Sequence, residues 1–287
     1  MGRISEADLV LNSDGSVYHL CLLPKHVSET IITVGDPSRV NMVGQHFDSI
    51  DFEVNRREFI TQVGRYRGKR VTVISTGIGT DNVEIFFNEL DALVNIDLKT
   101  REPKSRRRKL KVIRIGTSGA LQEDIPVGSY LMSDYAVGFD NLMSFYELKQ
   151  TATEKAIAED IRQKAQLPFT PYVVRGSELL RKTVGDGMLV GNTVTAPGFY
   201  APQGRVLRLP LRYPRLLDDL TAYHYRAEDL WLTNFEMETA GYYGLGRLLG
   251  HDVLSINAII ANRVKNKFAK DPNAVIEGLI QKVLDRI

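Results

Sequence analysis

Among 287 residues there is a single cysteine, Cys21, so an internal disulfide is excluded and a cysteine-built metal site is too. That poverty suits a reducing compartment, and Cys21 reads as buried filler. Charge of one sign is also missing. Thirty-seven basic side chains face 35 acidic ones, leaving no overall field to steer the chain onto nucleic acid or anionic lipid, so any anion it binds must be met locally. No apolar run approaches the eighteen or so residues of a membrane span, and Glu6 and Asp8 stand where a secretory signal would want basic and then apolar residues. The cytoplasm is therefore the default expectation. Internal repeats and low-complexity segments are absent as well.

What is present is the composition of an ordinary globular protein, 43% hydrophobic and 25% charged, at a length that suits one α/β domain over residues 1–287. Short β-rich runs alternate with helical patterns, the signature of a layered α/β architecture. Strands are expected at Ile31–Gly35, Val71–Thr76, Val112–Gly116, Ser129–Asp134, Met188–Val194 and Val253–Ile260. Helices are expected over Asn82–Asn95, Met237–Leu249 with Gly250 as its stop, and Asn273–Ile287 after Asp271 and Pro272. The basic octamer Lys104–Lys111 lacks interleaved aromatics and reads as a solvated loop rather than a nucleic-acid patch.

The first three strands each lead into a glycine-bearing turn, and ligands of open α/β sheets lie at strand carboxyl ends. Gly35-Asp36-Pro37-Ser38-Arg39 sets a backbone N–H and a guanidinium at a helix start, an anion cradle in miniature. Ser75-Thr76-Gly77-Ile78-Gly79-Thr80-Asp81-Asn82 begins like a dinucleotide fingerprint but lacks its third glycine and an acidic partner. In the third, Arg114 lies inside the apolar run Val112-Ile113-Arg114-Ile115, ahead of Gly116-Thr117-Ser118-Gly119-Ala120. A buried cation there must find a core carboxylate or an anionic ligand to offset its desolvation.

The segments VGDPSRV, RREF, STGIGTDN, IRIGTSGALQ, GFYAPQGR and NFEMETAGYYGLGRLLG, followed by ANR, resemble in order the motif series of the uridine phosphorylase branch of the nucleoside phosphorylase family, over nearly the whole chain. The resemblance implies a three-layer α/β/α fold with a mixed, partly barrel-like central sheet. It also implies cleavage of a pyrimidine nucleoside by phosphate, with phosphate as co-substrate and no organic cofactor.

It further implies three sub-sites. Gly35, Arg39, Arg57, Arg114 and Thr117 would hold phosphate. Glu238 would sit beneath the ribose 2′ and 3′ hydroxyls, with Met237 as an apolar wall and His19 at the 5′-hydroxyl; alone, His19 reads as a half-buried structural histidine. Phe199, Gln203, Arg205 and Gly119 would receive uracil, the carboxamide matching its donor–acceptor edge and Arg205 stabilising charge on the departing base. Catalysis would fall to Arg205, Glu238 and Arg114. For Glu236 and Glu238 at a helix start, simple complementarity to the helix dipole is the plain alternative.

Similar enzymes draw Arg57 and His19 from a neighbouring subunit, which implies a dimer as the smallest active unit and a hexamer as the assembly. A potassium site between subunits would use Glu58, the Ile78 carbonyl and position 82, where Asn82 replaces the usual serine. Purine-specific relatives place an aspartate after the last core strand; here Ile259-Ile260-Ala261-Asn262-Arg263 carries none, and Arg263 is expected to support the base loop. A purine phosphorylase, a water-using nucleosidase and a catalytically silent nucleoside-binding protein remain the alternatives. Residues 104–111 and Leu207–Glu228 diverge from the family pattern.

Overall fold

A computed structural model of the chain describes residues 2–287. From the N-terminus, strand β1 (Thr30–Val34) leads into helix α1 (Ser38–Gly44), and β2 (Ser49–Arg56), β3 (Phe59–Tyr66) and β4 (Lys69–Ser75) form a meander. Helix α2 (Thr80–Asn95) and the short pair β5 (Ile96–Asp97) and β6 (Glu102–Pro103) precede the long strands β7 (Lys111–Ala120) and β8 (Tyr130–Gly138). Then come α3 (Ala152–Lys164), β9 (Tyr172–Arg175), α4 (Glu178–Thr183) and β10 (Leu189–Thr195). The last third holds α5 (Leu216–Thr221), β11 (His224–Tyr225), β12 (Leu230–Glu236), α6 (Thr239–Leu249), β13 (Asp252–Asn262), β14 (Lys267–Phe268) and α7 (Pro272–Leu284).

Twelve strands form one mixed sheet, ten of them in the order β11-β12-β10-β8-β13-β7-β1-β4-β3-β2, with β14 beside β13 and β9 beside β8 off that path. Strand β7 also pairs antiparallel with β12 through Gly119–Phe235 and Ala120–Asn234. That pairing closes β12, β10, β8, β13 and β7 into a five-stranded barrel-like ring, with β1 to β4 as an open extension. The period-2 alternation of the strands feeds two faces. Ile31, Val112 and Val253 pack with Phe86 and Phe87 of α2 and Tyr242 and Tyr243 of α6. Ile32, Ile113 and Leu254 point the other way, onto Val40 of α1, Leu180 of α4 and Ile280 and Val283 of α7. Helices on both faces of the sheet make the three layers, and α3 and α5 cover the barrel strands through Ile157, Ile161 and Leu220.

Local signals account for several boundaries. Thr151 and Glu154 form a reciprocal capping box at the start of α3. Asp271 accepts from the Ala274 N–H, with Pro272 in the first turn of α7. Gly250, at φ 79°, ends α6 in the left-handed conformation glycine tolerates.

The structure departs from the sequence reading at definite places. The segment Gly116–Ala120, expected as a turn, continues β7, because β13 pairs along it on one side and β12 takes up its end on the other. Helix α6 begins at Thr239 rather than Met237, since Asn234–Glu236 complete β12 beside β10. Helix α7 stops at Leu284 rather than running to Ile287. The β2–β3 hairpin, β9 and β12 went unrecognised; β2 is mostly exposed and β9 has only four residues, so neither carries a strong period.

Candidate active site

One cavity of about 410 Å³ gathers residues from several of these elements. The β1–α1 turn supplies Gly35, Asp36 and Arg39; the β4–α2 turn supplies Gly77 and Ile78; β7 supplies Arg114, Thr117, Ser118 and Gly119. The β12–α6 junction adds Phe235, Glu236, Met237 and Glu238, and the loop after β10 adds Phe199, Gln203 and Arg205. Ile260, Ala261 and Phe268 complete the wall.

Arg114 is the charged centre, and only 3% of its surface is exposed. Its Nη2 pairs with Glu238 and lies 3.1 Å from Glu236, while Nη1 donates to Ser255 Oγ at 3.2 Å and Asn257 Oδ1 at 3.1 Å. The core carboxylates foreseen as one alternative are therefore present. Burial works against the cation, but Glu236 and Glu238 outweigh it and raise its pKa further. Two carboxylates facing one guanidinium leave a surplus of negative charge, and burial, reinforced by Glu236, raises the Glu238 pKa from its ordinary value despite Arg114.

The neighbouring glutamates differ in what they hold. Glu236 accepts from the backbone N–H groups of Glu238 and Thr239, at 2.9 Å each, and from Thr195 Oγ1 at 2.6 Å. It thus serves the N-terminus of α6, the plain alternative considered for it, while also facing Arg114. Glu238 instead occupies the cap position; its Oε1 accepts from the Gly79 N–H at 2.9 Å, which ties the β4–α2 turn to the cavity. Gly79 sits at φ 98°, a conformation favouring glycine.

Arg39 has no hydrogen bond or ion pair among the described residues, yet it is half-buried. Burial lowers its pKa; nearby Asp36 opposes this and Arg114 adds to it. A half-buried guanidinium without a partner, next to a second one, is the local feature that calls for an anion.

On the opposite side, Gln203 is 3% exposed and its Oε1 accepts from Arg205 Nη1 at 2.6 Å. Arg205 also donates to the Phe199 carbonyl at 2.6 Å and lies 3.7 Å above the Phe199 ring. Burial, with Arg263 as a like-charged neighbour, pushes the Arg205 pKa down to about 10. Arg263 donates to the Gln203 carbonyl at 3.1 Å, which is support for the loop from beneath.

The structure brings together Gly35, Arg39, Arg114, Thr117, Gly119, Phe199, Gln203, Arg205, Met237 and Glu238. It does not bring His19 or Arg57 into this cavity. His19 Nδ1 lies 2.6 Å from Glu89 of α2, and Arg57 is exposed at φ 53° in the β2–β3 turn. Glu58 and Asn82 flank Gly77, and Asn82 Nδ2 donates to the Ile78 carbonyl at 3.2 Å. The carbonyl that a cation would use is thus already engaged by Asn82.

Sequence reasoning passed over Asp36, Ser118, Phe235, Ile260, Ala261 and Phe268 as cavity residues, and over Ser255 and Asn257 behind Arg114. Phe268 gives no signal at all. The polar Ser255 and Asn257 inside the apolar run of β13 were the available clue.

Comparison with known proteins identifies the family. The phosphorylase superfamily model matches residues 29–284. A uridine phosphorylase of Thermococcus kodakarensis is 29% identical over 271 residues, spanning 93% of this chain and 85% of that protein. A DeoD-type purine nucleoside phosphorylase of Streptococcus suis is 24% identical, spanning 84% of each chain. Among solved structures, a Trypanosoma brucei nucleoside phosphorylase whose crystal structure is described as showing uridine phosphorylase activity superposes with a TM-score of 0.89 at 27% identity, covering 97% of this chain and 99% of that one. Because that family model spans nearly the whole chain, this chain belongs to the phosphorylase superfamily.

Proposed function

We propose that this protein cleaves uridine with inorganic phosphate, yielding uracil and ribose 1-phosphate. The observation that carries the reading is the meeting, in one cavity, of the unpaired Arg39, the buried Arg114–Glu238 pair and the Gln203–Arg205 pair. Uridine phosphorylase relatives in both comparisons support it.

In this reading phosphate rests against Arg39, Arg114, Thr117 and the Gly35 N–H, and one of its oxygens attacks C1′. The C1′–N1 bond breaks as the C1′–O bond forms, and its electron pair leaves with the base. Glu238 accepts from the ribose diol and stabilises the positive charge growing on the sugar ring, while Met237 walls the same sub-site. Burial keeps those electrostatic contacts strong. Gln203 recognises uracil, and Arg205, already anchored to Gln203 Oε1, faces the negative charge building on the base.

Selectivity for pyrimidines rests on the base wall. Ile260 and Ala261 line it, whereas Asn262 turns away: its Nδ2 donates to the Gln122 and Ile125 carbonyls, and its Oδ1 accepts from the Val264 and Lys265 N–H groups. No acid stands among the residues lining the base end of the cavity, so the proton a purine N7 would need has no source there. The assembly we propose is a homo-oligomer of dimers, up to a hexamer, in which Arg57 and His19 complete a neighbour's site. Pyrimidine salvage in the cytoplasm is the setting we propose.

The test incubates the enzyme with uridine, inosine and methylthioadenosine, each with and without phosphate, and follows base release by ultraviolet absorbance. Phosphate-dependent release of uracil alone is expected. Base release without phosphate would make it a nucleosidase, inosine turnover a purine enzyme, and uridine binding without turnover a silent binder.

A further inference from the structure

Two side chains of β13 that no part of the proposed reaction uses, Ser255 and Asn257, are completely buried. Both belong to the apolar heart of the sheet. Register explains where they point: Ser255 stands across from Arg114 and Asn257 across from Gly116. By alternation all of these share the face that α6 covers, since Val112 and Val253, two residues before Arg114 and Ser255, pack against α6.

Asn257 is odd in its bonding. Its Oδ1 accepts from Arg114 Nη1 at 3.1 Å, while its Nδ2 is buried with no hydrogen-bond partner among the described residues. The orientation of the amide is not arbitrary, because a guanidinium only donates and so only the oxygen can face it. An unused buried donor is costly. A core position that holds an asparagine on those terms is using one atom, the acceptor.

Gly116 points to the same arrangement from the other strand. A Cβ there would collide with Arg114 Nη1 and come within 2.6 Å of Asn257 Oδ1. The Arg114 side chain therefore passes over Gly116, a gap in the strand surface, to reach Asn257. Glycine inside a central strand weakens it, and close passage of another group is the usual reason to find one.

We propose that Asn257 is a positioning residue that, with Gly116 as the gap, sets the plane of the Arg114 guanidinium and thereby the affinity for phosphate. Glu236 and Glu238 hold Nη2 from the α6 side; Asn257 and Ser255 hold Nη1 from β13. Clamped at both nitrogens, the fork cannot swing wholly toward its carboxylates, and with its four Nη–H groups engaged it presents its remaining Nε–H in one fixed direction to an arriving anion. The assignment of that anion as phosphate rests on the functional reading above.

The test measures calorimetric dissociation constants for inorganic phosphate and for uridine, with thermal midpoints, in wild type, Asn257→Leu, Asn257→Ala and Gly116→Ala. Phosphate binding should weaken on the order of tenfold in each variant, the scale of one lost charge-assisted contact, while uridine affinity changes by less than about threefold. A variant with a lower thermal midpoint but wild-type phosphate affinity overturns the proposal, because that is what a purely structural asparagine would give. If Asn257→Leu does not fold, Asn257→Ala and Gly116→Ala are read by the same criterion. Because binding is measured directly, the outcome is separate from turnover: wild type that binds phosphate without releasing uracil would sink the functional reading and leave this one standing.

Discussion

At the scale of single residues, the site separates cations by how they are compensated. Arg114 is sealed against two carboxylates, Arg39 is left without a partner, and Arg205 is engaged by a carboxamide and a carbonyl. Neutral partners leave the Arg205 charge available to a departing base. Arg205→Ala should therefore lower uridine turnover by roughly two to three orders of magnitude, the effect of losing one charge-stabilising donor; steady-state kinetics showing an unchanged kcat would reject that role. Asn262 allows a second expectation. Since its side chain is committed to the Gln122 and Ile125 carbonyls, Asn262→Asp should confer no inosine turnover, and should lower the thermal midpoint by replacing a doubly used donor with a repelled carboxylate. Inosine cleavage by that variant would show that the side chain reaches the base after all.

At the scale of elements, Glu154 shows how the helices are tied to the sheet behind the site. It closes the capping box of α3, accepts from the Arg175 N–H of β9 at 2.9 Å, and pairs with Arg247 of α6 at 2.6 Å. Burial resists its ionisation, but Arg247 and the Thr151 and Arg175 N–H groups prevail and hold its pKa below the ordinary value. The folded state thus binds the proton less readily than the unfolded chain. Its contribution is present in full above the unfolded pKa of about 4.3 and is lost as pH falls through the lower folded value. Glu154→Gln should cost about 2 kcal/mol at pH 7, as for one lost partner of a charged hydrogen bond, and the gap to wild type should narrow as denaturation is repeated at pH below about 4. A gap independent of pH would mean that the carboxylate acts through shape and not charge.

At the scale of the whole molecule, the cavity holds ten of the twelve residues expected to contact phosphate, ribose or base, and the two it lacks are Arg57 and His19. If a neighbour's Arg57 completes each site, two inactive variants should rescue one another. Arg57→Ala and Arg205→Ala chains, unfolded and refolded together in equal amounts, should regain about a quarter of wild-type sites if chains pair at random in twofold dimers. Activity equal to the mean of the two separate preparations would place Arg57 outside catalysis or inside its own chain's site.

The amino-acid sequence by itself determined the chemistry on offer and the alternation of strand and helix. Apolar runs of period 2, glycine turns and capping signals such as Thr151 and Asp271 act over a few residues, so they are legible one segment at a time. The ordered motifs carried the likeness to the family, and with it most of the cavity residues. What only the tertiary structure decided was partnership. That Arg114 meets Glu236 and Glu238 and also Asn257 depends on strands more than a hundred residues apart being set side by side in one register. That Gly116–Ala120 is strand and not turn depends on β12 arriving to close the ring. Both follow from hydrogen-bond pairing between distant segments, which no local pattern encodes, because a strand's own residues state which way its side chains alternate but not which strand will lie beside it.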